Sequence, residues 1–89
     1  MLRRCLVIDP KDTVAVLLEN ARAGDTLRTP GGDTVSLLQD VEFAHKVAVT
    51  DHAERQPVCK YGYEIGYMAE PAPKGTWIHI HNMRCDRGK

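Results

Sequence analysis

Short apolar runs, each ended by a turn signal, are the feature of this sequence that most constrains its fold. The runs have the length of strands rather than of helices, and β-branched residues recur in them. They are CLVI (5–8), TVAVLL (13–18), TVSLL (34–38), KVAVTD (46–51) and TWIHIHNM (76–83). Pro, Gly and Asp lie between the runs, and Gly31-Gly32 is typical of a hairpin turn. The pattern predicts an all-β domain.

At most one or two short helical turns are expected in this framework. Residues 15–21 could form one, with Val14, Leu17, Leu18 and Ala21 on the same side, although a strand followed by a turn explains the same pattern equally well. Residues 41–45 could form a second short turn. The predicted fold class is therefore mainly β.

A weak internal similarity supports a chain that repeatedly doubles back. Each of three segments places a turn before a short apolar strand, and two of the three carry glycine in the turn: NARAGDTL (20–27), DHAERQPV (51–58) and EPAPKGTW (70–77). Their spacing is irregular, which excludes a solenoid.

Size and charge restrict the classes of function. With 89 residues the chain is one domain, and such a domain buries only about 60 to 65% of the surface of its unfolded chain. Because so thin a core leaves little room for a complete active site, a subunit or a binding module is favoured over an independent enzyme. Twelve basic and twelve acidic residues cancel, so we expect neither nucleic acid nor a membrane surface as a partner.

Cysteine usage and the first residues indicate a reducing, cytoplasmic setting. Cys5, Cys59 and Cys85 are odd in number and widely separated, which argues against disulfide stapling. The apolar stretch from Cys5 to Ile8 is too short for a signal-peptide core or a membrane span. The last residues, 84–89, are predicted to form a polar tail after a domain covering 1–83.

Two histidines in the last apolar run are candidate ligands. Strand alternation would place Trp77, His79 and His81 on one face and Ile78 and Ile80 on the inward face. Imidazoles at i and i+2 lie about 6.5 to 7 Å apart along a strand and could converge on one metal ion or one carboxylate. The alternatives are a solvated surface strand or a zinc site completed by two cysteines, Cys59 and Cys85.

His45 and Lys46 form a second candidate site at the start of KVAVTD. A neutral imidazole beside an ammonium can bind a carboxylate and assist proton transfer near neutral pH. Considered in isolation, His45 is more simply a surface turn residue. In KYGYEIG (60–66), Gly62 and Gly66 suit a bend that a neighbouring backbone approaches, and Tyr61 could donate a hydrogen bond to a ligand.

Four phrases occur here in the order of one family. PKDTVAVLL, FAHKVAV, KYGYEIG and KGTWIHIHN resemble the SAF domain of altronate and galactarate dehydratases, a module that also occurs as the separate small subunit of two-chain altronate dehydratases and of sulfolactate sulfo-lyase. The resemblance covers about Ile8 to Asn82. Ala44 departs from the family, which has glycine there, and this predicts a backbone position that glycine fits more easily. Another departure is Arg55-Gln56, where the second of the three segments lacks its glycine.

The resemblance implies a β-clip fold and a role as the small subunit of a carbon-oxygen lyase, inactive without a large catalytic chain. It implies elimination of water from a sugar acid such as altronate, with a divalent metal, iron or manganese, held mainly by the large chain. His45 and Lys46 would be the catalytic candidates. Asn82 and Tyr61 would bind substrate with the two strand histidines, His79 and His81, which would also be the candidate metal ligands.

Two other interpretations remain open. The chain could be a non-catalytic SAF module that recognises a hydroxy acid or a partner protein, or it could be the small subunit of a sulfolactate sulfo-lyase. Exposed strand edges in so small a β domain also invite pairing between copies.

Overall fold

The chain is built from short strands and turns. A computed structural model describes residues 1–85, which contain strands and turns but no helix. Ten strands follow one another: β1 (Leu2–Arg3), β2 (Cys5–Leu6), β3 (Val14–Leu17), β4 (Thr26–Arg28), β5 (Thr34–Ser36), β6 (Lys46–Ala48), β7 (Pro57–Lys60), β8 (Tyr63–Met68), β9 (Trp77–Ile78) and β10 (Met83–Arg84). The all-β prediction is confirmed.

Three small sheets arise from these strands. The largest is antiparallel, in the order β2-β3-β6-β9, and the others have the orders β1-β4-β5 and β10-β8-β7. In the second sheet β1 runs parallel to β4, and β4 and β5 form the hairpin predicted at Gly31-Gly32. Gly32 has φ +92° there, a value that glycine adopts without steric cost.

Four turns share one design, and the internal similarity seen in the sequence reflects it. They are turn I (20–27), turn II (40–47), turn III (51–58) and turn IV (71–78). In each, the backbone N–H before the strand donates to the carbonyl three residues earlier, over 2.9 to 3.2 Å; the pairs are Asp25–Arg22, His45–Glu42, Gln56–Ala53 and Thr76–Pro73. The residue before each donor has positive φ: Gly24, Ala44, Arg55 and Gly75. Turn II is thus a fourth copy that the sequence comparison missed.

The turns pair two by two. A β-bridge joins Ala21 to Val41, linking turns I and II, and another joins His52 to Ala72, linking turns III and IV. Side chains reinforce both pairs, since Asp40 accepts a hydrogen bond from the Ala23 amide and Asp51 one from the Lys74 amide. The domain therefore consists of two halves, each made of two interlocked turns.

Each half has an apolar cluster of its own. The first cluster contains Leu17, Ala21, Leu27, Val35, Leu37, Val41 and Val47. The second contains Val14, Ala48, Val58, Met68, Ala72 and Ile78. Strands β3 and β6 contribute residues to both clusters, so the central sheet joins the halves.

Several local predictions need correction. Residues 15–21 form no helix, because β3 takes up Val14–Leu17 between two neighbouring strands and the strand alternative holds. Strands β1 and β8 were not predicted, although β8 is six residues long.

The predicted bend at 60–66 is the β7–β8 hairpin. The Arg84 carbonyl approaches Gly66 so closely that a Cβ there would clash with it. Strand β10 ends at Arg84. The domain limit at 83 stays a prediction, and residues 86–89 of the predicted tail lie outside the described part.

The run WIHIHN is the largest correction. Its strand ends after Ile78, and residues 79–82 form a turn closed by hydrogen bonds from the Asn82 and Met83 amides to the His79 carbonyl. Ile78 is buried as predicted, but Ile80 is 76% exposed. The inward face expected for both isoleucines is therefore wrong for Ile80, because alternation stops where the strand stops.

Candidate ring site

Turn II places His45 at the start of β6. Its amide donates to the Glu42 carbonyl over 3.2 Å, and its carbonyl accepts from the Leu17 amide over 3.0 Å. Ala44, immediately before it, has φ +73°. The glycine-like backbone position that the family comparison predicted at Ala44 is confirmed. The backbone of His45 is held on both sides while its side chain stays half-buried.

Strand pairing brings Trp77 to His45. Strand β9 runs antiparallel to β6, with Val47 opposite Trp77 and Lys46 opposite Ile78. The indole N–H of Trp77 donates to Nδ1 of His45 over 3.2 Å. Two parts of the chain 32 residues apart therefore meet through a side-chain hydrogen bond.

His79 and His81 complete a cluster of four rings, which we call the ring cluster (His45, Trp77, His79 and His81). The His79 ring is stacked on Trp77 with centroids 5.4 Å apart, and the His81 ring lies 4.9 Å from Trp77 in a tilted arrangement. His45 meets His79 edge-on at 5.3 Å. The two histidines therefore lie around the indole, together with His45, and not along a continuous strand as predicted.

Asn82 holds the turn that carries these histidines. Its Oδ1 accepts from the His79 amide and its Nδ2 donates to the Trp77 carbonyl, both over 2.9 Å. The residue is only 4% exposed. Both polar atoms of the Asn82 side chain therefore stabilise the turn. Substrate contact by Asn82 stays a prediction, and these hydrogen bonds do not support it.

Positive charge borders the ring cluster. Lys46 is half-buried, and loss of solvent, followed by repulsion from Lys60, lowers its pKa. Loss of solvent also lowers the pKa of His79, with further repulsion from Lys46, His45 and His81. The ion pairs within residues 1–85 all lie elsewhere, so neither lysine has a carboxylate partner in that part of the chain.

Tyr61 lies at the edge of this charged region. It occupies the β7–β8 hairpin with φ +56°, and the Lys60 ammonium lies 4.9 Å from the centre of its ring. Tyr61 is exposed, so its hydroxyl can reach a ligand. Tyr61 is not among the rings that contact one another in the ring cluster.

The described residues do not form a metal site by themselves. Within residues 1–85, no group of three or more His, Cys, Asp or Glu side chains is arranged to hold a metal ion. Nδ1 of His45 is already taken by the indole, and Cys59 and Cys85 do not join His79 and His81 in such a group. A metal shared with another chain would need most of its ligands from that chain.

A family comparison identifies the module. A family model described as "Altronate/galactarate dehydratase SAF domain" matches residues 3–86. The chain belongs to this SAF domain family. The family membership that the ordered phrases in the sequence predicted is therefore confirmed.

Curated relatives contain the SAF domain in two contexts. It is 41% identical over 75 residues to the altronate dehydratase of Escherichia coli and 26% identical over 85 residues to that of Bacillus subtilis, covering 84% and 96% of this chain. The chain spans only 15% and 17% of those two proteins. It is 32% identical over 88 residues to the (2R)-sulfolactate sulfo-lyase subunit alpha of Chromohalobacter salexigens, covering 92% of this chain and 94% of that subunit.

Sequence reasoning missed three residues of this SAF domain. Trp77 was placed on the histidine face but not recognised as a hydrogen-bond donor, and Lys60 was not singled out at all. His52 was also missed: it is 3% exposed, and its Nε2 has no hydrogen-bond partner among residues 1–85. A signal existed only for His52, which occupies the bridge position filled by Ala21, Val41 and Ala72 in the other turns.

The described part of the SAF domain contains no helix long and apolar enough to cross a membrane.

Proposed function

We propose that this SAF domain is the small-subunit component of a hydro-lyase that dehydrates a sugar acid of the altronate type, working with a separate large catalytic chain in the cytoplasm. The ring cluster, flanked by Lys46, is the site that meets the substrate. Its expected ligand is the carboxylate of the acid.

The main support for this proposal is that the site contains positive charge and hydrogen-bond donors. Three imidazoles and an indole lie together beside Lys46, and no carboxylate of residues 1–85 forms an ion pair with that lysine. N–H donors and an ammonium without an internal anion favour an external carboxylate, because an unpaired, partly buried charge is costly until it finds a partner. Altronate offers such a group together with hydroxyl oxygens.

The need for a large chain is supported by the relatives. The altronate dehydratases extend far beyond the matched segment, whereas the sulfo-lyase subunit has almost the same extent as this chain. A divalent metal, iron or manganese, would then be held mainly by the large chain, and His79 or His81 could add a ligand. The chain of this protein binds and orients the acid.

Reconstitution tests the proposal. The purified SAF domain and a large dehydratase chain are each assayed with altronate, alone and combined. We expect activity only in the mixture, and His45→Ala in the small chain should lower turnover of the complex by about 10²-fold if His45 donates a hydrogen bond to charge that develops on the substrate. Full activity of the large chain alone would refute the proposal.

Lysine variants separate the site from general charge effects. Lys46→Ala should weaken altronate binding by the complex, since it removes the ammonium beside the ring cluster. Lys74→Ala is the matched control, because Lys74 is an exposed lysine of turn IV that takes no part in the ring cluster. Equal losses in both variants would argue against a carboxylate site at Lys46.

A second candidate is the small subunit of a sulfolactate sulfo-lyase. It is favoured by the 94% coverage of the subunit alpha. The same reconstitution with sulfolactate in place of altronate distinguishes the two. Tight binding of a hexonate by the isolated chain, measured by titration calorimetry, would instead favour a non-catalytic binding module.

A further inference from the structure

The hydrogen bond between Trp77 and His45 determines which nitrogen of His45 carries the proton. An indole N–H can only donate, so Nδ1 of His45 must be the acceptor and carry a lone pair. In the neutral ring the proton then resides on Nε2. We propose that Trp77 is a positioning residue that holds His45 in its Nε2–H tautomer, so that His45 offers a ligand a hydrogen-bond donor.

Both partners of this bond are fixed by independent contacts. The pairing of β9 with β6 holds the backbone of Trp77. Its backbone N–H donates a hydrogen bond to Oε1 of Gln39 over 3.1 Å, and its carbonyl accepts one from Nδ2 of Asn82. Its side chain also packs against the first apolar cluster. The backbone of His45 is held by Glu42 and Leu17. The 3.2 Å contact therefore joins two rigid elements.

Two neighbouring rings limit the freedom of His45. It lies edge-on to Trp77 at 5.5 Å and to His79 at 5.3 Å. Rotation of the imidazole by half a turn would bring a carbon where Nδ1 now accepts, and the indole N–H would lose its partner. An unsatisfied, partly buried donor costs roughly 1 to 3 kcal/mol. The present ring orientation is thus the favoured one.

The tautomer has a chemical consequence that deepens the proposed function and rests on it. An Nε2–H group donates to a carboxylate or hydroxyl oxygen, whereas it cannot take up a proton or ligate a metal through the same nitrogen. His45 would therefore bind and polarise an oxygen of the acid in the way Lys46 does, and removal of the substrate's carbon-bound proton would fall to another group. Both residues of the pair would act as donors to one anion.

Nitrogen NMR of the isolated chain tests the tautomer. The chain is labelled with ¹⁵N and studied at pH 8, where neutral imidazole prevails, by long-range ¹H–¹⁵N correlation. We expect Nδ1 of His45 at the chemical shift of an unprotonated nitrogen and Nε2 at that of a protonated one. In Trp77→Phe both shifts should move toward a mixture of tautomers, while His81→Gln, which alters another ring on the indole, should leave them in place.

Two results would overturn the inference: a proton on Nδ1 in the wild-type chain, or identical His45 shifts in wild type and Trp77→Phe. Should Trp77→Phe fail to fold, His45→Ala provides a second measurement. Loss of the acceptor should make the Trp77 indole proton exchange faster with solvent, and an unchanged exchange rate contradicts the bond.

Altronate then tests the ligand role separately. Added to the labelled complex with the large chain, it should shift the Nε2–H signal of His45 and slow its exchange, with Nδ1 still unprotonated. Protonation of Nδ1 on binding would overturn the donor role. If altronate does not bind, the proposed substrate is wrong, whereas the tautomer result from the isolated chain still decides the role of Trp77.

Discussion

Ala44 adopts a backbone geometry that glycine fits better. Turns I and IV carry glycine at the positive-φ position, with φ +88° and +97°, whereas turn II carries Ala44 at +73°. A left-handed backbone conformation costs a non-glycine residue roughly 1 to 2 kcal/mol, which glycine avoids. Glycine in turn loses more chain entropy on folding than alanine, and this reduces the gain from glycine by roughly 0.5 to 1 kcal/mol.

Ala44→Gly should therefore stabilise the domain by about 0.5 to 1 kcal/mol, measured by urea unfolding. Ala53→Gly is the matched control, because Ala53 lies in turn III without positive φ and should lose about 0.5 to 1 kcal/mol. A less stable Ala44→Gly variant would show that strain at this position is not relieved by glycine.

His52 is a second residue with a measurable effect. Its Nδ1 lies 2.9 Å from the Thr50 carbonyl, which can only accept, so the unpartnered Nε2 carries the lone pair. Burial lowers the pKa of His52 despite the raising effects of the Thr50 carbonyl and of Asp51. The folded state therefore resists a proton that the unfolded state accepts.

The sign of the pH effect follows from this difference. Above an ordinary histidine pKa of about 6.5, His52 is neutral in both the folded and the unfolded state, and its protonation takes nothing from the free energy of unfolding. As the pH falls below it, the unfolded state binds the proton first, so the free energy of unfolding decreases until the folded-state pKa is reached. His52→Val, which copies Val41 of turn II, should lose less stability than wild type between pH 7.5 and 5 in urea titrations. Parallel curves for the two proteins would contradict this account.

At the scale of elements, the turn after β9 decides where His79 and His81 lie. Asn82 makes two buried hydrogen bonds to it. Asn82→Ala should cost about 2 kcal/mol, the sum of two ordinary hydrogen bonds, and should increase the backbone mobility of residues 79–82 in ¹⁵N relaxation.

Asn82→Asp tests the donor of this side chain. It keeps the acceptor for the His79 amide, but a buried carboxylate oxygen then faces the Trp77 carbonyl, so its loss of stability and order should exceed that of Asn82→Ala. We also expect altronate binding by the complex to weaken in the same order. Unchanged mobility in Asn82→Ala would mean that the turn is held by its backbone alone.

At the scale of the whole molecule, the two apolar clusters are tied together by shared strands. Strand β3 supplies Leu17 to the first cluster and Val14 to the second, and β6 supplies Val47 and Ala48 in the same way. Neither cluster can come apart without breaking the central sheet. We expect one cooperative transition on unfolding.

The single tryptophan provides the measurement. Trp77 packs against the first cluster while β9 contributes Ile78 to the second, so its fluorescence and the far-UV circular dichroism should change at the same urea concentration. Two separate midpoints would show that the halves unfold independently.

Local features of the sequence determined much of this fold. Short β-branched runs and Gly or Pro turns act within a few residues, so strands β3, β5 and β6 and the Gly31-Gly32 hairpin could be predicted. The positive φ at Ala44 followed from the position at which the family has glycine, whereas the positive φ at Arg55 was seen only in the structure. Alternation failed at Ile80 because a side chain, Asn82, ends the strand, and no periodic pattern records that event.

Tertiary structure alone decided how the site is put together. The residue types of the site can be read from the sequence. The contact between His45 and Trp77, however, depends on the register of β6 and β9, in which Val47 lies opposite Trp77. Register is a long-range choice, set by burying Val47 in one cluster and Ile78 in the other at the same time. The sequence thus predicted that histidines lie at a candidate binding surface, whereas tertiary packing determined that the indole of Trp77 contacts one of them, His45.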